Sequence, residues 1–278
     1  MLPQHSCRLL ILWAASLPLG AQSLLQLPEY SAASIVNAAS QRIGKIAPNS
    51  IFTIYGKNLA FSAWALGPGD IRNGNLPTEV TGQNVSVIVR GLAVPLYFVS
   101  PNQINALIPA EFTPGVARIE VRRGSAAGPR VEIQIVPDAM ELFAFENGWA
   151  AATHPNGRTV DESNPVRPGS YVVVYGTGWG ATDRSEFQAP HIAQNGALLK
   201  RWPDFRVRLG ERELPRDHIW YAGLTPGFAG LYQANFKIPD DLWESTDCWL
   251  QIGEGEAGAK VKLRIALATE HQPQAFQP

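Results

Sequence analysis

Four stretches of this chain set apolar residues against polar ones at alternate positions: 84–89 (NVSVIV), 117–121 (ARIEV), 131–135 (VEIQI) and 261–265 (VKLRI). A period of two belongs to a strand with one face on a core and the other in water. Glycine and proline, 25 and 22 of 278 residues, punctuate these runs along the whole chain. Together they exceed the average usage of about 12%. Short strands between regular turn signals predict an all-β sandwich with six to eight strands per domain. Pro101, Pro109, Pro226 and Pro239 then cap strands rather than interrupt them. Helical periodicity is almost absent. Residues 239–245 (PDDLWES), with acids following a proline, predict one or two turns and no more.

The pattern occurs twice. Residues 46–60 (IAPNSIFTIYGKNLA) align with 166–180 (VRPGSYVVVYGTGWG) at a constant offset of 120, matching Tyr55 with Tyr175 and Gly56 with Gly176. Residues 103–109 (QINALIP) align with 233–239 (QANFKIP) at offset 130, matching Gln103 with Gln233 and Asn105 with Asn235. The ten extra residues are loop insertions, one of them at 224–230 (LTPGFAG). The expectation is two tandem immunoglobulin-like β-sandwiches, residues 34–137 and 138–268, with a boundary near Pro137.

The repeat also settles a glycine motif. Gly176, Gly178 and Ala181 fit the G-x-G-x-x-G/A spacing of a dinucleotide-binding turn. In the first repeat, however, Asn58 stands where Gly178 does, and no helix follows either copy to hold a phosphate. Asn and Gly are the residues that tolerate positive φ. The shared requirement is a tight turn leaving a strand.

The N-terminus reads differently from the rest. A short segment with Arg8, an apolar run at 9–19 (LLILWAASLPL) and small residues at Gly20-Ala21 match an export leader, residues 1–21. The run is too short for a bilayer, which needs roughly 20 residues. A polar linker, residues 22–33, follows, and residues 269–278 predict a frayed tail. The chain is expected in the periplasm, at the cell surface or outside the cell. With 23 basic and 24 acidic side chains it carries a net charge of −1 and no basic run, which argues against nucleic acid. Beyond the leader Cys248 is the one cysteine, so packing rather than a disulfide must stabilise the fold.

The stretches APNSIFTIYGKNLA, PLYFVSPNQINALIP, NPVRPGSYVVVYGTGWG and YAGLTPGFAGLYQANFKIP resemble an uncharacterised domain abundant in exported proteins of Solibacter and related Acidobacteria, over about residues 34–267. The resemblance implies immunoglobulin-like folds of the IPT/TIG kind. It implies no activity, cofactor or catalytic residue.

Candidate chemistry is sparse. There is no G-x-S-x-G elbow, and Ser170, like Ser50, opens a strand. His154, His191, His218 and His271 lack metal-binding spacing. Asp138, Asp161, Glu162 and Asp183 are the oxygen donors a junctional calcium would use, without an EF-hand to support it. The carboxylate pairs Asp240/Asp241 and Glu254/Glu256 read as a solvated turn and hairpin. The paired amides Gln103/Asn105 and Gln233/Asn235 read as structural, satisfying neighbouring backbone. Tryptophan is concentrated in the second repeat. Trp220 and Trp249 fall in strand patterns and are expected in the core, whereas Trp179 and Trp202, beside Gly/Pro-rich loops, are the expected ligand-binding residues. The functional expectation is a non-catalytic binding or adhesion protein of the cell envelope, its partner a protein or a glycan, with no metal and no cofactor. The alternatives are a carbohydrate-binding module using Trp179 and Trp202, and a hydrolase with an interdomain cleft.

Overall fold

The computed structural model describes residues 26–183, 191–242, 247–253 and 260–266. It is all-β, with four antiparallel sheets forming two sandwiches. In the first, one sheet runs Ile35–Asn37, Ile51–Tyr55, Gln103–Leu107, Leu96–Val99, Trp64–Ala65. Its partner runs Val131–Ile135, Gly115–Arg123, Val85–Val89, Leu92–Ala93. In the second, Glu141–Leu142, Tyr171–Thr177, Tyr232–Lys237, Ile219–Leu224 and Ala197–Leu198 face a four-stranded sheet centred on Val207–Leu209 and Asp247–Ile252. Alternation does its work: Val85, Val87, Val89, Ile119 and Val121 meet Phe52, Ile54 and Ile104 in one buried cluster. Val172, Val174, Phe236, Leu250 and Leu263 do the same in the other. Cys248 is buried in the second core. Residues 240–241 form a turn. The expected leader and tail lie outside the described residues.

The repeat is a repeat of register. Tyr55 pairs with Gln103 and Thr53 with Asn105, as Tyr175 pairs with Gln233 and Val173 with Asn235. Each central strand leaves through a residue at positive φ, Asn58 at 56° and Gly178 at 75°. The preceding glycine answers a different need. A Cβ on Gly56 would lie 2.3 Å from the Glu29 carbonyl oxygen, and one on Gly176 would lie 2.3 Å from that of Glu141. An incoming segment crosses each strand end there, and a side chain would block it.

That crossing revises the expected linker. Glu29 bridges to Lys57, and the Tyr30 hydroxyl donates to the Pro129 carbonyl and accepts from the Val121 amide. Burial pushes the Tyr30 phenol up to about 12. Residues 28–30 thus belong to the first sandwich, where they occupy the place that Glu141–Leu142 takes in the second.

The two sandwiches meet along a dry seam. Leu76, Leu107, Ile192 and Ala229 are buried together, with Ile51, Leu66, Ile71 and Tyr97 packed against them. Hydrogen bonds close the polar positions. The Ile51 amide donates to Thr177 Oγ1 at 2.9 Å, and that hydroxyl donates to the Gly230 carbonyl at 2.7 Å. Asn49 Nδ2 donates to the Tyr232 hydroxyl at 2.8 Å, and the Tyr97 hydroxyl donates to the Ala229 carbonyl. The inserted loop 224–230 supplies much of the second sandwich's share.

Beside the seam the Glu141 carboxyl is buried, with Arg42 Nη1 3.5 Å away. Burial raises its pKa above the ordinary carboxylate range, and the Arg42 charge opposes the rise. The folded protein therefore binds this proton more tightly than the unfolded chain. Stability contributed by Glu141 is then greatest below the ordinary value of about 4.3 and falls as pH rises toward the raised one. Replacing Glu141→Gln should remove that decline, so the variant's stability gain over the parent grows from about pH 4 to pH 7 in urea titrations. A constant difference across that range refutes the assignment. Gly176→Ala should cost about 1–3 kcal/mol, read as a lower urea midpoint, because neither the Glu141 carbonyl nor Trp179 can move aside freely. An unchanged midpoint would show that the crossing segment yields.

Candidate functional site

A β-bulge opens the candidate site. In the strand Ile219–Leu224, Ile219 pairs with Phe236 and Tyr221 with Asn235, which leaves Trp220 as an extra residue outside the ladder. Its ring is 60% exposed and tilts against Tyr171, with centroids 3.9 Å apart. The two aromatics bound a groove of about 440 Å³ on the outer face of the second sandwich. Tyr175, Gln233 and Asn235 also line it, and Thr153 and His154 stand along its other side.

Several polar side chains of the groove hold one another. Gln233 Nε2 donates to Asn235 Oδ1 at 3.1 Å, which leaves Gln233 Oε1 and Asn235 Nδ2 as an acceptor and a donor two residues apart on one face. Tyr175 and Thr153 join their hydroxyls at 3.1 Å. His154 Nε2 lies 3.1 Å from the Asn164 carbonyl, so it carries the proton there and Nδ1 is an acceptor in the neutral ring. No Asp, Glu, Lys or Arg lines the groove. Of its floor strands, Tyr232–Lys237 lies between two partners, and Tyr171–Thr177 pairs with it on one side and with Ala152–Thr153 and Glu141–Leu142 at four residues on the other.

The first sandwich has the same face with a different fate. Leu96 pairs with Ala106 and Phe98 with Asn105, so Tyr97 is the bulged residue matching Trp220. Gln103 Nε2 donates to Asn105 Oδ1 at 2.9 Å, repeating the amide pair. In both copies the amides bond each other rather than a neighbouring loop. Ile51, Tyr97 and Leu107, however, lie in the seam, whereas their counterparts Tyr171, Trp220 and Lys237 do not. Lys237 Nζ instead pairs with Asp240 at 2.8 Å.

The tryptophans expected to bind ligand lie elsewhere. Trp179 is 1% exposed, its Nε1 donates to the Glu141 carbonyl at 3.1 Å, and its ring lies 5.7 Å from that of Tyr232 and 5.8 Å from that of Phe205. The turn through Gly178 folds it back into the core, so it presents no surface ring. Trp202 lines a cavity of about 610 Å³, yet the Arg216 guanidinium sits 3.7 Å over its ring and Phe205 packs against it. Trp220 and Trp249, expected in the core, are exposed; the bulge turns Trp220 outward, and Trp249 is 50% exposed near the Lys262 ammonium.

The remaining candidates are also placed. A cleft of about 650 Å³ beside the seam is lined by Tyr55, Arg42, Glu141, Phe145 and Trp249 among others. Within it the Tyr55 hydroxyl donates to Gln41 Oε1 and Arg42 pairs with Glu141. Asp161 Oδ1 accepts from the Ser163 and Asn164 amides and the Ser163 hydroxyl, which lowers its pKa and closes a local turn. Asp138 pairs with Arg201 at 3.4 Å. Among the described residues no three His, Cys, Asp or Glu side chains converge on a point that would hold a metal ion, and no helix is long and apolar enough to cross a membrane.

No protein-family model matches the chain, and no curated protein matches it. Solved structures similar to it include the full extracellular region of plexin A4, at 15% identity and a TM-score of 0.24, covering 96% of this chain. This chain spans 17% of that one. Domains 5–6 of the S-layer protein SbsC match at 9% identity and a TM-score of 0.28, covering 87% of this chain and all of theirs. The fold therefore rests on the chain's own pairings: two tandem immunoglobulin-like β-sandwiches.

Proposed function

We propose that this protein is an exported, non-catalytic binding module of the cell surface or envelope. We further propose that it engages its ligand through the outer face of the second sandwich. One observation carries the reading. The repeat presents the same bulged sheet face twice, and the first copy is covered by the seam while the second is open and more aromatic. A Trp and a Tyr side by side at the mouth of a groove are the kind of aromatic anchor that interaction sites use. The leader-like N-terminus and the resemblance to an exported domain family support the location.

A hydrolytic reading attaches to the cleft beside Glu141, whose buried carboxyl has a raised pKa. Arg42 already pairs that carboxyl and Tyr55 is bonded to Gln41, which favours a structural junction.

The test is retention on a cell-envelope fraction. Trp220→Ala should weaken retention roughly tenfold or more, as expected for a central aromatic anchor, while Glu141→Gln leaves it unchanged. Full retention by the Trp220 variant, or its loss in the Glu141 variant, overturns the assignment of the face.

A further inference from the structure

Resting on that reading, we infer that the occupant of the groove is an uncharged glycan, with a sugar ring laid on the Trp220–Tyr171 pair. The argument starts from what the two copies exchange. Where the first copy meets protein, it uses Ile51, Tyr97 and Leu107, two aliphatic side chains and a phenol that interlock with Ile192 and Ala229. At the matching positions the second copy carries Tyr171, Trp220 and Lys237, and the lysine is held by Asp240. One aliphatic side chain has become a ring and the phenol a larger indole, so two aromatic rings stand together on an open face. Such a ring covers the apolar C–H face of a pyranose over its whole area.

The polar groups fit the same ligand. Sugar hydroxyls on adjacent carbons each donate and accept, and Gln233 Oε1 with Asn235 Nδ2 present an acceptor and a donor side by side. His154 Nδ1 and the Tyr175–Thr153 hydroxyl pair extend that inventory along the groove. The volume of about 440 Å³ lies within the roughly 300–1,000 Å³ of ligand clefts.

Other ligand classes lack a handle. A nucleic acid or acidic polymer needs cations, and no Lys or Arg lines the groove. A peptide bound as an added strand needs a long open edge, and the floor strands offer only the two residues Tyr171 and Val172 without a partner on one side. No Lys, Arg, Asp or Glu side chain lines the groove to read a charged ligand.

The experiment is affinity electrophoresis and fluorescence titration of the chain from residue 22 onward. The probes are soluble xylan, mixed-linkage β-glucan, glucomannan and dextran, with polygalacturonate and heparin as charged controls. At least one neutral polysaccharide should retard the protein, with an affinity changing less than about twofold between 50 and 500 mM salt, since no charges are paired. Trp220→Ala and Asn235→Ala should each weaken it at least tenfold, and Trp202→Ala should not. Binding by none of the neutral probes, binding by the charged ones alone, or equal binding by the Trp220 variant overturns the inference. Envelope retention separates this failure from failure of the groove itself. If Trp220→Ala abolishes retention and protease rather than periodate strips the envelope of its capacity, the groove stands and its ligand is protein. If Trp220→Ala leaves retention intact, both fall.

Discussion

The Thr177 hydroxyl is the pivot of the structure. It accepts from the amide that starts one central strand, at Ile51, and donates to the carbonyl of Gly230 at the end of the inserted loop. The residue is fully buried, so neither bond competes with water, and losing either would strand a polar group. Because Thr177 itself ends the second central strand, one oxygen ties the two sheets to a common frame. Ile192, Ala229 and Leu76 then pack where that frame puts them. The seam decides which sheet faces remain open.

From that constraint the asymmetry between the repeats follows. Both copies keep the tyrosine, the glycine under a crossing segment, the amide pair and the bulge. These belong to the fold and are indifferent to what lies outside it. Among the changes are those at the strand ends, where Ile51 and Leu107 correspond to Tyr171 and Lys237. In the first copy this face is buried in the seam, and in the second it stays open. A neutral groove with fixed hydroxyls and amides suits selection by shape and hydrogen bonding, at a rate that charge does not accelerate.

Much of this could be read from sequence, and the reasons for the misses are physical. Alternation at 84–89, 117–121 and 131–135 identified strands because one face of each is buried, and the offsets of 120 and 130 identified the duplicate. The turn at Asn58 and Gly178 was legible because few residues accept positive φ. The groove was half visible: Tyr175, Gln233 and Asn235 stood out as repeated residues, without any sign that they share a face with Trp220. That sign was hidden because a bulge shifts phase by one residue, and strand periodicity assumes none. Trp179 was misplaced for the opposite reason, since a glycine turn that looks like surface can aim its next side chain inward. The loop at 224–230 was recognisable as an insertion, but its role exists only between two domains. Glu29 and Tyr30 escaped because two or three residues that pair across a strand end carry no period.

The bulged position has one more consequence. Tyr97 and Trp220 are the residues skipped in the ladder each strand makes with its central neighbour. A side chain at such a point can be exchanged without shifting the register on either side. Duplication therefore gave this fold two such slots, one now packed as mortar in the seam and the other open to solvent. Where further copies of the module occur in series, this slot is the place to look for what distinguishes one from the next.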